Sequence, residues 1–329
     1  MSRLTHRLRS LLAPRALPSY DRNAFTADLV AATVVTALLI PQALAYALLA
    51  GMPPETGLYA SMLPLVAYAV FGRSRTLAVG PFAVVSIMTA AAAGQVSAQT
   101  DIDSVTAAIT LALLSGAILV AMGVLRLGFL INFLSRPVIY GFIAASGVLI
   151  AASQFGRLLG VQARGQTLWT IAQALWQEHD AIQPATVLLA GICLAWLVVT
   201  RRYLAGALSG LGVPPASARL LGRTGPILLV LATTAASAVY DLHDHGIATV
   251  GTVTAGLPSL SLPLPPWASL TYLWLPALLI SIVTFAESVS MAQTLAGPRN
   301  ERIAPNRELV GLGSANIASA LSGAFPVSA

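Results

Sequence analysis

Apolar runs recur along the whole chain, and the stretches between them carry nearly all of the charge. A helix of about 18 apolar residues is long enough to cross the hydrocarbon core of a bilayer. The pattern predicts spans at Ala27–Leu49, Thr56–Phe71, Pro81–Ala98, Val105–Leu125, Pro137–Phe155, Ala181–Thr200, Gly225–Tyr240 and Tyr272–Leu295. A partial ninth is expected from near Asn306 to the last residue. The implied class is an all-α polytopic membrane protein.

The third run is the least regular. From Pro81 to Ala93 it is apolar for only 13 residues, or about 20 Å of helix, against a core of about 30 Å. Thr76–Gly80 precedes it, and five extended residues at about 3.3 Å each supply the missing length. On this reading the helix starts near mid-membrane, with Pro81 at its first position, where the lost N–H costs nothing. The free amides of Phe82, Ala83 and Val84 then present partial positive charge suited to an anion. The alternative is one full helix reaching Gln95–Ala98, with a proline in its first turn.

Two other runs hold polar groups. Pro41 interrupts the first and frees a backbone carbonyl. Gln42 and Tyr46 follow it and, four apart, share a face. A glutamine amide donates two hydrogen bonds to an oxyanion, and Tyr46 and Phe82 are candidates for a cavity wall. Gln and Tyr also serve simply as helix-packing contacts. The eighth run carries Glu287, expected to be the only carboxylate deep in a span, with Ser281, Thr284, Ser288 and Met291 on or beside its face. A buried carboxylate protonates, pairs or lines a wet cavity, so proton coupling is one reading and a protonated packing contact the other. Gly311, Ala315, Ser319 and Gly323 make a small-residue face for close packing, Asn306 is a candidate cap, and Asn316 is a weaker polar candidate.

Composition agrees with the bilayer as solvent. The 329 residues are 57% hydrophobic and 9% charged, where soluble domains carry about 25% charged residues. All 18 basic residues are arginine, and the spans place 16 of them on the side of the N-terminus. That bias predicts a cytoplasmic N-terminus, a basic cytoplasmic tail over residues 1–25, and an inner-membrane location, and it explains the basic charge without nucleic acid. Leu4, Leu8 and Leu11 in that tail suit either a surface-lying helix or a frayed end. The Gly/Pro-rich stretch 246–267 reads as an ordered outer loop. Asp241, His243, Asp244 and His245 beside it read as solvated rather than as a metal site. The single Cys193 forms no intrachain disulfide. No nucleophilic triad, phosphate loop, zinc motif or dinucleotide fingerprint stands in suitable context, so neither an enzyme nor a cofactor is expected.

Six blocks, Pro41–Ala47, Gly51–Ala60, Ala78–Val84, Phe133–Phe142, Gly256–Leu260 and Asn306–Ile317, resemble the SulP sulfate permease family, bacterial relatives of the SLC26 anion transporters. The resemblance implies two inverted repeats of seven segments, with short helices three and ten meeting end to end around an anion. Over this chain the first repeat falls at about 26–240 and the start of the second at about 268–329. It further implies a core domain moving like an elevator against a gate, a homodimer, and secondary active transport of a sulfate-like anion. Carried over by motif, Gln42, Tyr46, Phe82, Ala83 and Val84 line the anion site. Glu287, with Ser288 and Thr284, falls at the coupling position. Glu there looks like the proton-coupled sulfate or dicarboxylate carriers, and Asp there like sodium-coupled bicarbonate carriers. Family members continue with further segments and usually a STAS domain, so the sequence reads as the N-terminal part of such a protein, not expected to transport alone. An inactive scaffold is the alternative.

Overall fold

The computed structural model describes residues 22–74, 77–133, 136–161, 165, 167–212, 214, 218, 224–242, 244, 246–249, 255–258, 260, 267–296 and 304–329. The basic tail to residue 21, His243, His245 and most of the Pro-rich stretch before Trp267 lie outside them. The regular elements are helices. They are α1 (Arg22–Leu49), α2 (Pro54–Phe71), α3 (Ala83–Gln99), α4 (Ser104–Val124), α5 (Arg136–Leu159), α6 (Leu168–Gln177), α7 (Pro184–Val199), α8 (Ala205–Gly210), α9 (Gly225–Tyr240), α10 (Trp267–Ala296) and α11 (Pro305–Leu321). Among the described residues the only β-type pairing is an isolated antiparallel bridge between Gly80 and Ser328. Among the described residues four helical stretches are long and apolar enough to cross a membrane: Ala31–Leu49, Ser104–Val124, Pro184–Gly210 and Ser269–Gln293.

The helices form two compact units. The first is built from the described residues of Gln42–Ser146 and Thr252–Ala329. At its centre α4 packs against α3, α10 and α11, with Leu111, Ala112 and Leu119 fully buried. Lipid is as apolar as a leucine side chain, so these helices associate through close packing and hydrogen bonds rather than through escape from water. The crossing of α4 and α11 shows how. A Cβ on Gly313 would stand 2.7 Å from the Gly116 carbonyl oxygen, and one on Gly116 would stand 2.8 Å from that of Gly313. Ser115 on α4 and Ser281 on α10 lie hydroxyl to hydroxyl at 3.0 Å, a buried polar tie between two apolar helices. The expected small-residue face of α11 is only partly the one used. Gly311 packs on Gly72, where an added Cβ would stand 2.6 Å from the Gly72 Cα, and Gly313, two positions off that stripe, makes a comparably close approach to Gly116.

The second unit comprises the described residues of Asp21–Pro41 and Gly147–Gly251. Here α7 continues through a π turn at Thr200–Leu204 into α8. The Trp196 indole donates to the Gly225 carbonyl at 3.1 Å, tying α7 to the start of α9.

Four expectations change. α1 passes through Pro41 without ending, so the proline removes one hydrogen bond but not the helix. A helix, α6, lies inside the expected connection between the fifth and sixth spans, and at ten residues it is too short to read as a span. The ninth helix ends at Leu321 rather than running on, and the chain turns at Gly323 (φ +71°), a conformation that glycine adopts without strain. Asn306 does not cap α11, whose N-cap position is Ala304. Its side-chain oxygen accepts from the Gly128 amide at 2.7 Å instead.

Candidate functional site

The local geometry begins with glycine and proline at positions 80 and 81. Leu77–Phe82 is non-helical, and Gly80 and Ser328 exchange both backbone hydrogen bonds, at 2.9 and 3.0 Å. This pairing holds the lead-in extended through Phe82 (φ −135°, ψ 141°), which takes the N-cap position of α3. Pro81 therefore precedes the cap instead of opening the helix, and the unbonded first-turn amides belong to Ala83, Val84 and Val85. Leu77–Phe82 thus leads into α3 as six non-helical residues. The helix α3 then runs 17 residues to Gln99 rather than stopping near Ala93. The extended entry is thus as the short-helix reading expects, and the far end is as the full-helix reading expects.

The strand opposite is fixed from α11. Asn316 is fully buried, donates to the Val327 carbonyl at 3.0 Å and accepts from the Val327 amide at 3.0 Å. Ser319 donates to the Phe325 carbonyl at 2.6 Å. Side chains near the end of α11 thereby satisfy backbone groups of Phe325 and Val327, which no sheet completes. Asn316 and Ser319 have structural work of this kind, and one link further along the strand reaches Glu287.

Glu287 lies on α10 and is 8% exposed. The Ser328 hydroxyl donates to its carboxylate at 3.3 Å, and Ser288 stands 3.5 Å from the same hydroxyl. Ser328 therefore joins the carboxylate to the lead-in of α3, through its side chain on one hand and its backbone on the other. Two further hydroxyls, Ser86 on α3 and Thr284 on α10, are fully buried and have no hydrogen-bond partner. Nearby serines and threonines bond the carbonyl one turn back: Thr89 to Val85, Ser281 to Ala277, Ser290 to Ala286. Ser86 and Thr284 do not take that local partner, although α3 and α10 pack together. A buried hydroxyl left unpaired costs about 1–3 kcal/mol, so both are groups that a polar ligand or water would satisfy.

The structure thus brings together Phe82, Ala83 and Val84 with the Ser328 strand, and Ser328 with Glu287 and Ser288. Gln42 is exposed and Tyr46 half-buried, both in the last turns of α1. Met291, one turn on from Glu287, is exposed. Glu287 is also not the only deep carboxylate. Glu308, in the first turn of α11, is 1% exposed and accepts from the Tyr68 hydroxyl at 2.5 Å and the Ser74 amide at 2.9 Å. An acidic residue beside Pro305 reads in sequence as an exposed first-turn charge favoured by the helix dipole, which hides its burial. Ser328 was invisible for another reason: its partners lie 248 and 41 residues away. Among the described residues no group of His, Cys, Asp and Glu is placed to hold a metal.

Comparison with known proteins places this arrangement. A sulfate permease family profile matches residues 25–329. A probable sulfate transporter of Mycobacterium tuberculosis is 37% identical over 309 residues, which are 94% of this chain and 52% of that protein. The chain thus spans about half the length of that relative. A solved structure of SLC26A9 superposes with a TM-score of 0.82 at 23% identity, covering 99% of this chain and 52% of that one. The transmembrane domain of the cyanobacterial bicarbonate transporter BicA gives 0.74 at 22% identity, covering 94% and 75%. The helices, the extended lead-in to α3 and the profile over nearly every residue agree: this chain is a multi-pass membrane protein of the sulfate permease family.

Proposed function

We propose that the protein carries a small anion of the sulfate class across the bacterial inner membrane by secondary active transport, with its N-terminus in the cytoplasm. The observation that carries this reading is the start of α3. Three unbonded amides there open opposite a strand whose Ser328 hydroxyl bonds Glu287. The anion rests against the amides of Ala83, Val84 and Val85, where the helix dipole supplies partial positive charge without a fixed cation. Ser86 and Thr284 offer hydroxyl donors at the same helix pair, and Phe82 and Tyr46 bound the site. Gln42 adds an amide donor for the anion, and an elevator motion between a core and a gate carries the site across.

Glu287 is assigned to coupling. An ionised carboxylate about 4–8 Å from a bound anion repels it by about 2–4 kcal/mol at an effective dielectric near 20. Proton uptake removes that repulsion, so proton and anion travel together. The inverted-repeat division, at about 26–240 and from 268 onward, and a homodimeric assembly belong to the same reading. Sodium-coupled bicarbonate or dicarboxylate transport is the second reading, supported by the BicA fold likeness.

The test is uptake of labelled sulfate, bicarbonate and fumarate by the full-length protein in vesicles, across pH and with or without sodium. Proton coupling predicts faster uptake at acid outer pH, and loss of that dependence in Glu287→Gln. Unchanged pH dependence in the variant refutes the assignment, and an absolute sodium requirement selects the second reading.

A further inference from the structure

The helix α6 has no part in the anion site, and its surface is unlike that of the spans around it. Thr167 and Thr170 close a reciprocal capping box that fixes its start. Ile171 is 2% exposed on the inner face, while Trp169 and Trp176, seven residues apart on one outer face, are 76% and 79% exposed. Leu168 is exposed as well. Among the described residues neither indole N–H has a protein partner.

Its depth is set by the chain on either side. Gly160 turns the chain at the end of α5 (φ +75°). The Gln183 amide then donates to the Leu159 carbonyl at 3.0 Å, so the residue that ends α5 is bonded to the one that precedes α7. The loop carrying α6 is closed at the level where two adjoining helices end. Within one to two turns of that closure α7 exposes Val187, Leu188 and Ile192, on a stretch long and apolar enough to cross the membrane. Tryptophan, with an apolar body and one N–H donor, is the residue that suits the boundary between acyl chains and headgroups.

We propose that α6 lies in the plane of the membrane at the headgroup boundary, with Trp169 and Trp176 inserted among the lipids as anchors for the α5–α7 connection. The partner is the phospholipid interface itself. The Trp176 ring stacks on His179 with centroids 6.1 Å apart, yet both indoles keep most of their apolar surface exposed, and its removal from water is favourable.

The test uses the full-length protein in phosphatidylethanolamine/phosphatidylglycerol vesicles whose acyl chains carry bromine at either a shallow or a deep position. The native protein is compared with Trp169→Phe/Trp176→Phe, whose fold is checked by melting temperature and by anion uptake. The fluorescence lost in the variant should be the share quenched by shallow bromine, and deep-bromine quenching of the remaining tryptophans should persist. The proposal is overturned if the lost fluorescence is quenched by aqueous acrylamide and not by bromine. It is equally overturned if neither quenches it and the rings prove buried between two copies of the chain. Because the readout is lipid contact, it stands or falls apart from the transport assay.

Discussion

Replacing Asn316 by alanine should loosen the strand that faces the start of α3. The side chain is fully buried and makes two 3.0 Å bonds to the backbone of Val327, itself fully buried. Alanine leaves one buried N–H and one buried C=O, each at a cost of about 1–3 kcal/mol, so about 2–6 kcal/mol in all. Water entering the gap relieves part of this; a residual near 1.5–3 kcal/mol corresponds to about a 10- to 100-fold fall in the ratio of protein with the strand in place to protein with it released. Anion affinity should fall by up to the same factor, because the strand pairs with Gly80 and so holds the lead-in to the binding amides. The assay is equilibrium binding of labelled sulfate to full-length protein, with a thermal melt alongside. Asn316→Asp sharpens it. The variant keeps the acceptor for the Val327 amide but turns an oxygen toward the carbonyls of Leu312 and Val327, where the native amide donates at 2.9 and 3.0 Å. Protonation restores one donor, so binding by the aspartate variant should rise more steeply as pH falls than binding by the native protein or the alanine variant, in which Glu287 alone takes up a proton. Native affinity and melting temperature in Asn316→Ala would refute the strand's role.

Two further outcomes follow from buried and capping carboxylates. Glu308→Ala removes the acceptor for Tyr68 and Ser74, and hydrogen bonds to a charged group contribute about 1.5–3 kcal/mol each. The melting temperature should fall clearly, with Glu308→Gln, which keeps an acceptor, falling less. Asp103 caps α4 by accepting from the Thr106 amide at 3.0 Å, and hydrogen bonding from the Thr106 side chain first and its amide second holds the carboxyl below the ordinary carboxylate range. A depressed folded-state value means the contribution is present at neutral pH and lost as pH falls through that lowered value. Asp103→Ala should therefore lower stability by about 1 kcal/mol at neutral pH, and the gap from native should close in acid.

The sequence makes some of this legible for physical reasons. Gly80-Pro81 marks a break because neither residue supports a helix interior, and Glu287 stands out because a carboxylate is rare inside an apolar run. What stayed hidden depends on partners far along the chain. Nothing near Ser328 shows that its backbone pairs with Gly80, nor near Asn316 that its amide serves a strand eleven residues on. Glu308 looks like a surface charge until Tyr68 is folded against it. Gly313 looks like any glycine until Gly116 crosses it. The helix α6 went unread because ten amphipathic residues fall below the length that marks a span.

The most direct measurement is the position of the anion itself. Selenate is a sulfate mimic with a strong anomalous signal, and crystals of the full-length protein grown with it would locate the bound ion. The account predicts a selenate oxygen within hydrogen-bond distance, about 3 Å, of the amides of Ala83, Val84 or Val85, on the side of α3 that faces Ser328. Selenate bound with full occupancy elsewhere in the protein, with those amides in contact only with other residues, would contradict it.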